Sequence, residues 1–503
     1  MEDITRREAI GGAVAGLGAM GLASAVAGKA LAADGSSSSD GEQSSEVPTE
    51  SEAKDVQAAS PSDAKGYVPN LRMRNQDTLV RKDELLEQLL DEPEPEGDLT
   101  LPDGRVIPAI YVKLHNRLNR VGFGCGSEVT ESCFDLYTYL WSEDDAKVCC
   151  EVPLYQWFNA WDYAEICGKS VEECDQILDD IAQRGLIARS KKSGKNYYTL
   201  QPYIAGYWEA TELKTFYENG EDPYACHEIL SQNGIGKDWQ FNLSDNEFGL
   251  NTSCPVSVDV VAEDKLMPYM DWRQRIMQNT TVGVAACQCM IVDQCMSDQD
   301  YTDRFPLKRC MYLGDSGEYF ISIGAAEAIT PEEAVKIGEQ CMDAGMVPEF
   351  VTAKDSDIIC FCHSDECIQL QNVKKFEGTN PVSLKNYSAY NLNYDPDKCI
   401  SRGACIERCP MKAISFDDEN KCVHSDVCVR CGQCVTVCPA SARILKARDD
   451  FPYDDMPYDY QVDNQLFFAK QRLQRGLLHD FTGTKIPDVD YGTVTDSATR
   501  TSL

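Results

Sequence analysis

Cys428-Val-Arg-Cys431-Gly-Gln-Cys434-Val-Thr-Val-Cys438-Pro439-Ala-Ser-Ala-Arg-Ile444 spaces its cysteines as C-x2-C-x2-C-x3-C-P. Zinc sites are built from separated C-x2-C pairs, and a disulfide framework has no reason to follow a two-two-three rhythm. The spacing points instead to thiolates gathered around an iron–sulfur cluster. A shift of twenty-nine residues superimposes the motif on an imperfect copy, Cys399-Ile-Ser-Arg402-Gly-Ala-Cys405-Ile-Glu-Arg-Cys409-Pro410-Met-Lys-Ala413-Ile414. Cys399, Cys405, Cys409, Pro410 and Ala413 fall on Cys428, Cys434, Cys438, Pro439 and Ala442. The position matching Cys431 is Arg402, whose guanidinium keeps its proton and cannot bind iron. One ligand is therefore missing from the first copy.

Between the copies, Ala413-Ile-Ser-Phe416 and Lys421-Cys-Val-His424 flank Asp417-Asp-Glu-Asn420 and read as a short hairpin. Over residues 393–447 these motifs resemble the two-cluster bacterial ferredoxin domain. The resemblance implies crossed ligation: Cys409, Cys428, Cys431 and Cys434 on one complete 4Fe-4S cluster, and Cys399, Cys405 and Cys438 on a second, incomplete one. In ferredoxins lacking that second cysteine a three-iron cluster is a familiar outcome, and this is the expectation for the second site. A 4Fe-4S cluster with a non-cysteine ligand, rescue by Cys422 on the hairpin, or an empty site are the alternatives.

The fold class expected is α+β, in 503 residues with room for two to four domains. The 82 acidic and 47 basic side chains leave a net charge of -35, which repels nucleic-acid phosphates and anionic membrane surfaces and suits docking to a basic partner or simple solubility. Residues 1–33 resemble a twin-arginine export signal, with Arg6-Arg7, a Gly/Ala-rich weakly apolar run and Ala30-Leu31-Ala32 for cleavage. Folded export suits clusters that are assembled in the cytoplasm, and it places the protein in the periplasm or beyond. The membrane is involved only through that signal, an uncleaved anchor or a partner. Residues 34–66 are Ser, Asp, Glu and Ala with little to bury, a disordered linker.

Residues 67–109 form a lead-in with a short amphipathic helix at 81–90, stopped near Pro93 and Pro95. In residues 110–215 a helix at 157–166 precedes the capping box Ser170-Val-Glu-Glu173 and its apolar stripe Val171, Cys174, Ile177, Leu178 and Ile181. A strand at 186–189, a turn at Ser190–Lys195 and a strand at 196–200 follow. The order resembles a winged helix-turn-helix. A DNA reader needs Lys, Arg, Asn or Gln on its second helix, yet Glu172, Glu173, Asp175, Asp179 and Asp180 stand there. The module is thus expected to be structural or a docking unit, and Cys174 to be core.

Residues 216–392 are a cysteine-rich middle domain in which Cys287-Gln-Cys289, Cys295, Cys310, Cys360-Phe-Cys362 and Cys367 form two clumps around the helix capped by Thr330-Pro-Glu-Glu333. A soft metal removes the cost of burying unpaired thiolates, so Cys287, Cys289, Cys310, Cys360 and Cys362 are candidate ligands of a third metal centre, against reduced or disulfide-paired cysteines. Cys341 on that helix reads as core, and His363 as a surface residue. The run from the winged helix through the paired C-x-C motifs and Cys310 before Leu313-Gly-Asp-Ser-Gly-Glu318 resembles a group of 4Fe-4S-binding proteins of anaerobic bacteria over about residues 110–447. No C-x2-C-H or phosphate loop occurs, and the one G-x-G-x-x-G, Gly16-Leu-Gly-Ala-Met-Gly21, falls inside the signal-like residues 1–33 rather than between a strand and a helix. Residues 448–503 are an acidic, aromatic tail with a helix at 466–478, expected to wrap the cluster domain or dock a partner.

Together these residues imply an exported iron–sulfur protein that passes electrons to or from a partner oxidoreductase. A reductase in its own right, resembling the corrinoid-dependent dehalogenases or using a middle metal centre, is the alternative. A redox-sensing winged-helix regulator is the third.

Overall fold

The computed structural model describes residues 84–124, 129–219, 247–264, 266–297, 300–375, 377–378 and 382–487. The export signal and linker read in the sequence lie outside them. From Gly66 onward the chain forms one compact unit, so the segments that the sequence divides at 110, 216, 393 and 448 pack against one another. No helix among the described residues is long and apolar enough to cross a membrane.

Residues 84–183, where described, are mostly helical. Helix α1 (Glu84–Leu90), the small hairpin β1 (Leu99–Thr100) with β2 (Val106–Ile107), and helices α2 (Ala109–Asn119), α3 (Glu131–Leu140) and α4 (Glu143–Glu151) enclose the buried Phe134, Tyr137 and Trp141. Helix α5 (Ala160–Cys167) starts on an Asn159/Asp162 capping box, and α6 (Val171–Gln183) on the Ser170/Glu173 box anticipated from the sequence. Cys174, Leu178 and Ile181 are buried on its apolar stripe, as the helical spacing requires. Strands β3 (Ile187–Lys192) and β4 (Lys195–Leu200) complete the helix, helix, hairpin order, with the turn tightened to Ser193-Gly194 in left-handed backbone.

This hairpin is a docking element within the chain. Tyr319 Oη donates to the carbonyl of Ile187 at 2.8 Å, Arg189 Nη2 donates to Ser322 Oγ at 2.7 Å, and Lys192 pairs with Asp315 at 2.6 Å. All three partners lie on one helix of the middle region, so the module is fixed to the sheet behind it.

That sheet has six strands in the order β5 (Asn251–Ser253), β9 (Val347–Val351), β10 (Ile358–Cys362), β7 (Lys308–Leu313), β6 (Val282–Ala286), β8 (Glu327–Ile329), every neighbour antiparallel. Strand side chains alternate between faces, and here both faces are covered. One carries Val284, Met311, Ile359, Phe361 and Phe350 against α8 (Trp272–Met277) and α11 (Pro331–Asp343), whose Thr330/Glu333 box caps it as expected. The other face carries Tyr312, Cys310, Ile358, Cys360, Cys362 and Val351, roofed by the segment Ile204–Glu209 at the start of α7 (Trp208–Asn219) and by the first turns of α9 (Gln288–Ser297) and α12 (Ile368–Lys375). Helix α10 (Gly314–Ser322) follows β7 directly and carries the hairpin-docking residues.

Past α13 (Val382–Lys385), strand β11 (Tyr390–Tyr394) pairs antiparallel with β14 (Arg443–Ala447) and encloses α14 (Ala404–Arg408), the hairpin β12 (Ile414–Phe416) with β13 (Cys422–His424), and α15 (Gln433–Thr436). The tail then departs from the expectation that it wraps this segment. Helix α16 (Asp463–Gln474) buries Leu466, Phe468, Ala469 and Arg472. Arg472 Nη2 donates to Asn119 Oδ1 at 2.7 Å, Phe468 meets Phe123 at 3.9 Å between ring centroids, and Asn464 Nδ2 donates to the carbonyl of Thr352 at 2.7 Å. The aromatic and apolar face of the tail thus fills the seam between the N-terminal helices and the sheet.

Candidate metal centres

The twenty-nine-residue repeat is visible in the backbone. Ser401 and Arg430, Gly403 and Gly432, and Lys412 and Ser441 all have positive φ at matching positions. Gly403 and Gly432 immediately precede α14 and α15. Cys409 Sγ accepts from Ala413 N at 3.4 Å, and Cys438 Sγ accepts from Ala442 N at 3.3 Å. Two loops of one shape are therefore present even though Arg402 occupies a ligand position in the first, where its side chain is exposed. At Gly432 a Cβ would stand 2.7 Å from Val260 Cγ2 as well as needing left-handed backbone, so only glycine fits that turn.

Cys409, Cys428, Cys431 and Cys434 line a single pocket with Leu392, Pro410, Met411, Ile414 and Val429. These are the four thiols that the ferredoxin resemblance groups together, one from the first copy and three from the second. Burial raises the thiol pKa of Cys428, Cys431 and Cys434, so metal-free thiolates are unfavourable in this apolar wall. A cationic cluster core offsets that cost. The loop is anchored on the segment after β5 and on the C-terminal end of α11: Val256 N donates to the carbonyl of Cys431 at 2.9 Å, and Gln433 Nε2 donates to the carbonyls of Met342 and Met346 at 3.0 and 2.8 Å.

The second group forms around the hairpin. Cys405 Sγ lies 3.7 Å from Cys422 Sγ, and both are buried with Ile414. Cys399 joins them, its pKa lowered to about 7 by hydrogen bonding to Tyr394, to Ser401 N and to Cys422. Arg443 lies close to both Cys405 and Cys422, and burial raises the Cys405 thiol pKa while the Arg443 guanidinium offsets part of that rise. Cys438 is half-buried on the loop before β14. Cys422 thus stands where the sequence offered it only as one of several alternatives.

Residues 391–450 match the 4Fe-4S dicluster domain family. Neither the curated proteins nor the solved structures contain a match to the chain. A dicluster domain carries at least one 4Fe-4S cluster, and with it the protein has an iron–sulfur electron-transfer role.

In the middle region the structure brings all five candidate thiols together and adds a sixth. The side chains of Cys287, Cys289, Cys367, Cys362, Cys360 and Cys310 interact in that order, and Cys310 closes the ring on Cys287. Register explains the convergence. Ile359 pairs with Met311, which sets Cys360 beside Cys310 on the next rung, and Cys360 itself pairs with Glu349. Cys287 follows β6, Cys289 begins α9, and Cys367 immediately precedes α12. The six thiols perturb one another's protonation, and the nearby Arg309 guanidinium favours the thiolate at Cys287. Charge is thereby shared among six sulfurs.

Around the ring, Arg309 and Glu366 form a fully buried ion pair at 2.7 Å, and Arg309 favours the charged form of Cys287. Glu349 is also fully buried, and its carboxyl is pushed up to about 8 by burial while it accepts from Tyr387 Oη at 2.9 Å. Its carboxylate and the thiols of Cys362 and Cys367 lie within 4.8 Å of one another. Glu349, Glu366 and Arg309 went unnoticed in the sequence, where nothing ties them to distant cysteines. The side chain of Cys295 lies outside the described residues. Cys341 is fully buried on α11, as expected. His363 is not on the surface: it is 8% exposed and packs its ring on Phe305 at 4.8 Å, because Cys362 precedes it into the sheet edge.

Proposed function

We propose that this protein is an exported electron carrier serving a partner oxidoreductase, with two clusters in its dicluster domain. Cys409, Cys428, Cys431 and Cys434 hold the first as a 4Fe-4S cluster. Cys399, Cys405 and Cys438 hold the second, with Cys422 in place of the ligand lost at Arg402, which makes it an atypical 4Fe-4S cluster in preference to a three-iron one. The observation that carries this reading is the pocket in which four thiols from the two motif copies converge. The approach of Cys422 to Cys405 at 3.7 Å favours the four-iron form at the second site.

Different ligand sets and different burial separate the potentials of the two clusters, with the atypical site the higher. Residues 110–215 serve as an internal docking unit, a reading supported by the ties of β3 to α10 and by the acidic face of α6. Nucleic acid is not a partner in this reading. Export rests on the resemblance of residues 1–33 to a twin-arginine signal, and fractionation of cells expressing the Arg6→Lys, Arg7→Lys variant tests it through retention of the protein in the cytoplasm. A redox titration followed by EPR on anaerobically purified protein tests the cluster assignment. Two four-iron signals with distinct potentials are expected, and colourless, iron-free protein would overturn the reading.

A further inference from the structure

The ring of six cysteines belongs to neither ferredoxin-like site, and it is built from distant parts of the chain. Two of its members come from the sheet end β6 and helix α9, one from β7, two from β10 and one from the loop before α12. They line a cavity with about 70 Å³ of free volume on the covered face of the sheet, together with Asn251, Gln288 and Gln369. Gln288 is 4% exposed, and neither of its amide atoms has a partner among the described residues. Gln369 Oε1 and Asn251 Oδ1 are likewise buried without a partner. Unmatched buried polar atoms in native proteins call for a bound group that satisfies them.

Six thiols exceed what one metal ion uses, since structural zinc is complete with four ligands, as is a single 4Fe-4S cubane. Disulfides among the six would leave the amides of Gln288 and Gln369 as they are. The occupant therefore has to be wide enough to reach all six sulfurs and polar enough to meet the amides. We propose that Cys287, Cys289, Cys310, Cys360, Cys362 and Cys367 bind a polynuclear iron–sulfur centre, the third of the chain, with Gln288 as a hydrogen-bond donor to its sulfur. Arg309 supplies buried positive charge beside Cys287.

This centre is joined to the first ferredoxin-like site by a short covalent and hydrogen-bonded route. Cys362 leads through His363 to Ser364, whose N donates to the carbonyl of Pro410 at 3.3 Å, and Pro410 follows Cys409. The third centre exchanges electrons with the dicluster domain along this edge, an assignment that rests on the proposed loading of that domain.

The test uses the full chain, purified without oxygen, and compares wild type, Cys310→Ala/Cys360→Ala and Cys428→Ala by iron and acid-labile sulfide analysis and Mössbauer spectroscopy. Wild type is expected to exceed the about eight irons that two four-iron clusters account for. Cys310→Ala/Cys360→Ala is expected to lose that excess while the EPR signals of the dicluster domain persist. Cys428→Ala is expected to lose about four irons and keep the excess. Wild type that shows the dicluster signals yet holds no more than about eight irons, zinc in place of the excess, or disulfides mapped within the six by mass spectrometry each overturns the third centre. Iron that survives Cys428→Ala but is lost from Cys310→Ala/Cys360→Ala, in protein whose wild type shows no dicluster signals, overturns the carrier reading and leaves the ring assignment standing. Should the double variant fail to fold, the wild-type iron count and Mössbauer spectrum decide alone.

Discussion

Cys422 Sγ stands 3.7 Å from Cys405 Sγ, across the short hairpin that joins the two copies of the cluster motif. The thiol supplied by β13 is thus delivered to the site whose own loop carries Arg402. Cys422→Ser is expected to convert the second cluster to a three-iron form, adding a three-iron EPR signal and removing about one iron per chain, with the first cluster unchanged. An unaltered spectrum would exclude Cys422 as a ligand.

Arg309 and Glu366 face each other with neither side chain exposed. Removing one partner of such a pair strands the other charge in the interior. Arg309→Met is expected to cost about 3–5 kcal/mol in chemical denaturation. The double variant Arg309→Met/Glu366→Leu should recover the part of that loss that comes from the stranded Glu366 carboxylate. Equal stability of the single and double variants would contradict this account.

Gly338 lies on the face of α11 where a Cβ would run into the Trp272 ring, at 2.7 Å from Cη2, and into Phe361 Cζ at 2.8 Å. Alanine is the better helix former by about 1 kcal/mol, but overpacking a close-packed core costs about 1–3 kcal/mol. Gly338→Ala is therefore expected to lower stability by about 1 kcal/mol or more and to shift the fluorescence of Trp272 as its ring is displaced. A stabilised Gly338→Ala protein would show that the ring moves away freely.

His115 is fully buried beside Tyr137, with Nδ1 3.0 Å from Tyr137 Oη, and burial lowers its pKa to about 4. The unfolded chain takes up the proton near pH 6.5, whereas the folded one does not until about pH 4. Unfolding is then favoured as pH falls through that window, so the stability present above pH 6.5 declines toward pH 4 by about 3 kcal/mol and levels off below it. His115→Asn should remove this part of the slope in denaturation curves taken across the window. A variant with the wild-type slope would assign the dependence to other groups.

The cluster motifs, the hairpin between them and the capped helices α6 and α11 were legible because each is encoded within about one supersecondary unit. Ser170 and Glu173, or Cys428 to Cys438, announce themselves without knowledge of the fold. The six-thiol ring was legible only in part. Cys310 and Cys360 meet because β7 and β10 are neighbours in the sheet, a pairing of strands fifty residues apart that no local pattern records. Cys367 joined them, although its lone position after the C-x-C pair gave no more reason to choose it than Cys295. Cys422 was visible as a possibility, but its delivery to Cys405 depends on the fold of the hairpin. His363 was misplaced for the same reason: histidine is equally at home in water or against an aromatic ring, and only its neighbour Phe305 decided the matter.

The clasp between Arg472 and Asn119 spans 353 residues of chain. During synthesis the ribosome delivers the N-terminal helices long before the helix that finishes their core, and every cysteine of the dicluster domain emerges in the interval. The core around α2 is therefore finished only after the whole dicluster domain has been made, so a chain cut short anywhere before α16 leaves Asn119 and Phe123 without Arg472 and Phe468.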